Sequence, residues 1–410
     1  MADVDQDGHP THAQDGEPEE DEEWLDPVDV DALPDGSRTT FVGGAFSSFK
    51  SLTSLLEATN HPLRAGDKVV VLPGTYDQDA ILDTHTHRGV TIVGDAASDV
   101  SAVVFTGQLA LQQSAQANAA AAAAPPPTDD TDDGAPKAPP APLAIGHMTF
   151  LSGAILAELS DADVSDCVFG GRHIPQLADK DASLPARMVA CHGFSVVRLT
   201  RCKIWGFQLS AVYGFPYSRV TASQCDIIGA DRPPAKVQEA HTYRRKLVVE
   251  AAASAAPTGV PATCEVEVGV ELDNAEMTFR ECTISNCNIG LLVRDASKKS
   301  TLEKSVIAQI ATVGILLEAG ACMSIRGNKV KHCGRECLVL GNKAHPIIRD
   351  NVFVGDVRLK AEAVTTGVCD NVLALNGKLL EDQQIFSRRG FTTIATDPTA
   401  PKVKKSASAA

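Results

Sequence analysis

Aromatic residues are scarce in this chain of 410 residues: they make up 5% of it, with two Trp and four Tyr. So few large rings argue against a core built on a handful of aromatic anchors and favour small apolar contacts repeated along the fold. Long apolar runs are lacking too. No stretch approaches the roughly 18–20 apolar residues that a membrane helix needs, so an integral helical membrane protein is not expected. The N-terminus shows neither the basic segment nor the apolar segment of a secretory signal. With no such signal, the odd number of cysteines, eleven, points to free thiols in a reducing compartment rather than a disulfide scaffold. The expected location is intracellular, in the cytoplasm or associated with the cytoskeleton.

Positive charge is absent from the first 36 residues, which hold fourteen Asp and Glu and no Lys or Arg. Removing those acids from a net charge of −15 leaves the rest of the chain close to neutral. The folded part therefore has no basic footprint for nucleic acid and little attraction to an anionic membrane, so neither is expected as a partner.

Composition divides the chain. Residues 1–36 form an acidic head too poor in apolar surface to order itself. Residues 37–397 read as one folded unit with two long insertions. One, at about 112–142, has an alanine run followed by Pro125-Pro126-Pro127, acids and further prolines. The other, at about 230–261, mixes Pro233-Pro234, a basic cluster and an alanine-rich stretch. Both read as solvated loops, and residues 398–410 as a disordered tail.

What is present is a repeat. Phe279-Arg280-Glu281-Cys282-Thr283-Ile284, Leu302 to Ile307, Ile325 to Val330 and Ile348 to Phe353 start 23 residues apart and share one template. Its order is apolar, two mostly polar, a small or amide residue, any residue, apolar. Leu199 to Ile204 and Ala222 to Ile227 fit it at the same spacing, and Val164 to Phe169 fits as well. The step of 35 from Cys167 to Cys202 reads as one coil plus twelve residues, and the step of 57 from Cys225 to Cys282 as two coils plus eleven. A second register supports the first: Gly290 to Val293 recurs as Gly314 to Leu317 and Cys337 to Leu340. Short alternating runs at this period, with almost no helical signal, describe a solenoid of parallel strands whose inward residues stack in ladders. About ten coils at roughly 4.8 Å each would give a rod near 48 Å long. Phe279, Leu302, Ile325 and Ile348 should form one buried column, and Ile284, Ile307, Val330 and Phe353 another. The column from Cys167 to Asn351 should lie at a turn, where Asn tolerates a left-handed backbone and can hydrogen-bond backbone. Open ends need covers. Phe46 to Leu56 has the spacing of an amphipathic N-terminal capping helix, and Leu379, Leu380, Ile385 and Phe391 offer closure at the other end.

The first coils read Gly66-Asp67, an apolar run, Pro73-Gly74-Thr75-Tyr76, and then Gly89-Val90-Thr91-Ile92-Val93-Gly94. This resembles the opening of right-handed parallel β-helix proteins of the pectin lyase-like superfamily. Within it the chain looks most like the intracellular β-helix regions of F-box 10/11-like and SHC-binding/Nessun Dorma-like proteins. The resemblance implies an all-β, right-handed parallel β-helix of about 23 residues per coil. It also implies a non-catalytic scaffold that presents its coils to a protein partner. The alternative is a carbohydrate-active enzyme (lyase, hydrolase or epimerase) or a carbohydrate-binding module, since the same fold serves those classes.

Candidate chemistry is thin. The outward acids Asp163, Asp166, Asp226, Asp273, Glu281 and Asp350 share no offset that would gather carboxylates for calcium. The position before the Cys/Asn column alternates in sign, as a solvated face does. Cys191-His192-Gly193 stands without the paired carboxylates that glycoside hydrolysis requires. His332, Cys333, Cys337 and His345 have loose zinc spacing. Cys337, however, occupies the register of Gly290 and Gly314, so these residues, like Cys264, Cys282 and Cys287, read as turn or core thiols. No catalytic, metal or cofactor site is therefore expected. The densest positive patch is His241, Tyr243, Arg244, Arg245 and Lys246, a possible contact for an acidic partner or for the head.

Overall fold

A computed structural model describes residues 37–45, 47–113, 141–156, 159–170, 187–207, 209–229, 267–295, 299–318, 320–359, 367–374 and 391–394. The acidic head, most of both insertions, Cys264, Leu379, Leu380, Ile385 and the basic patch from His241 to Lys246 lie outside the described residues.

The chain is all-β, a right-handed parallel β-helix. Twelve strands, from Thr39–Val42 to Val368–Cys369, form one wall. The remaining strands form the other two walls as parallel stacks running along the same axis. Each coil thus turns three corners, and inward side chains stack on their counterparts one coil away, with a shift of register between Lys331 and Leu338.

The expected columns are the observed ones, but Ile227 pairs directly with Ile284, so the step of 57 residues from Cys225 to Cys282 is one coil with a long insertion and not two coils. Phe279 pairs with Leu302, Leu302 with Ile325 and Ile325 with Ile348. The second column is longer than the repeats indicate. It runs Tyr76, Phe105, Phe150, Phe169, Ile204, Ile227, Ile284, Ile307, Val330, Phe353 and Leu373, each paired with the next. Its first four rings stack with centroids 5.0, 5.3 and 5.7 Å apart. Four of the scarce aromatics thus form one internal pile.

The small-residue column lies at a corner, but its backbone role differs from the expected one. The left-handed residue is the one before it: Asp166, Arg201, Gln224, Glu281, Lys304, Gly327, Asp350 and Asp370 all have φ between 49° and 66°. The column residue is buried just behind that bend, where its side chain satisfies the backbone of neighbouring coils. The thiols of Cys202, Cys225 and Cys282 donate to the carbonyls of Val164, Leu199 and Ala222. Further along, Cys282 N–H donates to Ser305 Oγ at 3.1 Å and Ser305 N–H to Asn328 Oδ1 at 2.8 Å. The outward residues at the bend form a charge ladder that includes a bidentate Arg201–Asp166 pair, both bonds 2.6 Å.

The N-terminal cover also differs from expectation. The first strand, Thr39–Val42, joins the wall through Lys68–Val71 before any helix forms. Phe49 stays extended, bridged to Val42, with its carbonyl accepting Gly43 N–H at 2.8 Å. A capping box between Ser51 and Ser54 then starts a helix that spans only Leu52–Leu56. Leu52 and Leu55 are buried in the core. At the far end Phe391 is buried and its strand pairs with Asn371–Ala374, as the closure expectation required of that residue.

Candidate functional site

The outer surface breaks its polar pattern at the corner that leads into the twelve-stranded wall. Leu159, Phe194, Tyr217 and Asn274 occupy the same place on consecutive coils, two residues before the paired positions Asp161, Val196, Arg219 and Glu276. All four have left-handed backbones, with φ of 65°, 55°, 67° and 50°. Asn is at ease there, but for Leu, Phe and Tyr the bend costs about 1–2 kcal/mol each. The same three side chains are 44%, 57% and 65% exposed. Each coil therefore bears both backbone strain and an apolar group in water, at a place where Asn or Gly would avoid both.

A serine follows each of the three: Ser160, Ser195 and Ser218, all fully buried. Ser218 Oγ donates to Phe215 O at 2.7 Å and Ser160 Oγ to Leu111 O at 2.9 Å, which holds the bends. Between coils, Leu159 N–H donates to Gly193 O and Tyr217 N–H to Asn274 O. The Phe194 and Tyr217 rings stack with centroids 5.3 Å apart and planes 8° from parallel.

Beside this ridge runs a groove of about 320 Å³ lined by Phe194, Val196, Tyr217, Ser218, Arg219, Asn274 and Glu276. One wall is the column Phe194, Tyr217, Asn274; the other is Val196, Arg219, Glu276. Arg219 binds Glu276 Oε2 at 3.0 Å, and Lys299 lies 3.8 Å from the other carboxylate oxygen. Across the ridge, the Arg187 guanidinium sits 3.9 Å above the Tyr213 ring, and His192 lies flat on Phe215 at 4.0 Å. Burial, aided by Arg187, holds the His192 imidazole below its ordinary pKa, so the ring is uncharged at neutral pH. Burial raises the Tyr213 hydroxyl.

The residues singled out from sequence are dispersed around the helix. Asp163 shares Arg198 with Asp161, whose second partner is Arg88. Asp166 is held low by its hydrogen bonds from Arg201. All three members of Cys191-His192-Gly193 touch the ridge region: the Cys191 carbonyl accepts from Phe215 N–H, the His192 ring lies on Phe215, and the Gly193 carbonyl accepts from Leu159 N–H. Cys333 and Cys337 lie on one strand, Lys329–Leu340, with Cys337 fully buried. Among the described residues, no three His, Cys, Asp or Glu side chains come together as metal ligands. Also among them, no helix is long and apolar enough to cross a membrane.

The ridge escaped the sequence reading, although a signal existed. Leu159-Ser160, Phe194-Ser195 and Tyr217-Ser218 recur at steps of 35 and 23, the same steps that separate Cys167, Cys202 and Cys225.

A comparison with family models agrees with this architecture over part of the chain. A family model described as "Right handed beta helix region" matches residues 264–372. No curated protein matches the chain. Among solved structures, ORF18 of Geobacillus virus E2 is similar at 12% identity and a TM-score of 0.35, over 74% of this chain and 55% of that one. The chain thus spans about half the length of that viral protein. A mannuronic acid specific polysaccharide family 6 lyase from human gut microbiota is similar at 10% identity and a TM-score of 0.33, over 87% and 90% of the two chains. The Dettilon tailspike protein is similar at 10% identity and 0.36, over 88% and 67%.

Proposed function

We propose that the groove beside the Phe194–Tyr217 ridge binds a linear carbohydrate chain laid along the helix axis. The carrying observation is the run of three strained, exposed apolar residues, one per coil, ending on the polar Asn274. A sugar has an apolar C–H face and a rim of hydroxyls. The groove offers an aromatic wall to the first and the amide, guanidinium and carboxylate of Asn274, Arg219 and Glu276 to the second. Repetition fits as well: successive rings of the ridge are 5.3 Å apart, close to the length of one pyranose. An extended peptide would present like-facing residues about every 6.6 Å, out of step with rings 5.3 Å apart.

A scaffold surface for a folded protein partner, the leading sequence expectation, calls for a different shape. Interfaces of that kind take roughly 20–30 residues from each side and about 800 Å² per partner. The ridge is one side chain wide. Affinity gel electrophoresis over a panel of plant, algal and bacterial polysaccharides tests the reading. The wild type should be retarded by at least one polymer, and Phe194→Ala with Tyr217→Ala should abolish the retardation without lowering the melting temperature. A wild type that no polymer retards, or a double variant retarded equally, overturns it.

A further inference from the structure

We infer that the ligand of this groove is a ribbon-like glycan joined by β-1,4 bonds and read one sugar per coil; this rests on the carbohydrate reading above. The ground is the straightness of the ridge. Its corner is four residues long at 192–195 and again at 215–218, and three at 273–275. The strands that follow, Asp161–Ser165, Val196–Thr200, Arg219–Ser223 and Glu276–Arg280, pair in register without a slip. The extra chain in the steps of 35 and 57 residues enters at another corner, between Phe169 and Arg187 and between Ile228 and Val268. Nothing therefore displaces one coil of the ridge against the next. Leu159, Phe194, Tyr217 and Asn274 stand in a line along the axis, with Val196, Arg219 and Glu276 in a second line beside them. Leu159 carries the ridge one coil beyond the groove.

A ligand that touches every step of this line must be straight and must advance one sugar per coil. The Phe194 and Tyr217 rings set that step at 5.3 Å. In β-1,4 chains of glucose, mannose or xylose type, both bridging bonds leave the ring equatorially. Such a chain is a flat ribbon that advances by nearly a whole ring at each residue. An axial bond, as in α-1,4 chains, turns each residue against the last, and a β-1,3 bond adds a steady bend. Chains of both kinds wind into helices with a shorter advance. Laid on the ridge, a wound chain meets one coil and leaves the line at the next. To stay in contact it must first be straightened, and that ordering is subtracted from its affinity. A ribbon arrives in the required shape. Its contacts are individually weak, but each one holds the next sugar at high local concentration over the next coil.

The experiment is calorimetric titration of the full chain with oligosaccharides from dimer to hexamer, all without carboxylates. One set is β-1,4-linked: cello-, chito-, xylo- and manno-oligosaccharides. The other holds malto-, isomalto- and laminari-oligosaccharides, with α-1,4, α-1,6 and β-1,3 bonds. At least one β-1,4 tetramer should bind about tenfold more tightly than every tetramer of the second set. Its affinity should rise from dimer to tetramer and then level off, since four coils carry the line. Leu159→Ala should weaken the tetramer about fivefold and leave the dimer, held by Phe194 and Tyr217, unchanged. The linkage inference is overturned by a probe of the second set that binds as well as the best β-1,4 probe. Affinity that does not grow with length overturns it too, as does a Leu159→Ala variant that affects dimer and tetramer alike. So does a β-1,4 set that fails to bind while a polymer still retards the wild type. The carbohydrate reading fails separately, if neither probe nor polymer binds or if Phe194→Ala with Tyr217→Ala binds like wild type.

Discussion

The side-chain oxygen of Asn351 accepts two hydrogen bonds from Asn328, one from its backbone N–H at 2.8 Å and one from its amide at 3.0 Å. Asn371 does the same for Asn351, at 3.1 and 2.9 Å. Each amide also donates to a carbonyl of a preceding coil: Asn328 to Leu302, Asn351 to Ile325 and Asn371 to Ile348. The C-terminal coils are thus stitched along the axis by side chains that imitate a strand edge.

Replacing Asn351 by Leu removes this acceptor and leaves buried N–H groups of Asn328 without it. The expected cost is about 2–4 kcal/mol, because unsatisfied buried donors cost about 1–3 kcal/mol each. Asn351→Ser should cost less, since Ser305 already serves as acceptor for Cys282 N–H. Urea unfolding of both variants measures this, and the loss should appear first in the C-terminal coils.

Gly290 has no room for a methyl group. A Cβ there would lie 2.6 Å from Gly314 O and 2.6 Å from Ile307 Cγ2. Gly290→Ala should therefore destabilise by at least about 1–3 kcal/mol. At Gly74, where a Cβ would meet nothing nearer than 3.6 Å, the same change should be close to neutral. Thermal melts of the pair compare a crowded position with an open one.

The buried thiols should be silent. Burial raises Cys167 to about 12, and contact with Cys202, together with burial, raises Cys225 to about 12. Thiols so placed stay protonated at neutral pH and are poor nucleophiles. Native protein treated with iodoacetamide at pH 8 should leave Cys167, Cys202, Cys225 and Cys282 unmodified by mass spectrometry. All four should label after denaturation.

Asp67 gives the N-terminal coils a pH dependence. Burial raises its pKa, but hydrogen bonds from the Arg38 side chain and from the backbone of Arg64 and Arg38 outweigh it, so the net shift is downward. A lowered folded-state pKa means stability that is present above the ordinary carboxylate range and is lost as pH falls through the folded value. The wild type should lose melting temperature on acidification below about pH 4, the ordinary range of Asp. Asp67→Asn should start lower at pH 7 and show a flatter profile.

The inward face was legible because solenoid coils repeat the same demand. Ile284, Ile307 and Val330 must each fill one layer, so spacing alone exposed the column. The N-terminal rings Phe105 and Phe150 belong to the same column but were hidden, since loops of unequal length interrupt the spacing there. Asn328 and Asn351 were expected at a bend, bonded to backbone, and those bonds are present; their pairing amide to amide across coils depends on burial that a linear sequence does not display. The ridge was harder still. Phe194 and Tyr217 face water, where neither core periodicity nor charge pattern applies. Their recurrence before a serine at steps of 35 and 23 is the trace they leave in the sequence; the left-handed backbone that separates them from ordinary surface apolar residues is visible in three dimensions.

Strand Asp226–Ile228 and strand Val268–Leu272 lie on either side of a long insertion, yet Ile227 pairs with Ile284 and Val212 with Val270 without a slip. The corner after Gly229 thus behaves as a port through which chain length enters and leaves freely. Each doubling of such a loop costs only about 0.6 kcal/mol in closure entropy. A passenger domain spliced between Gly229 and Glu267 should ride on the rod as cargo, leaving the stack beneath it undisturbed.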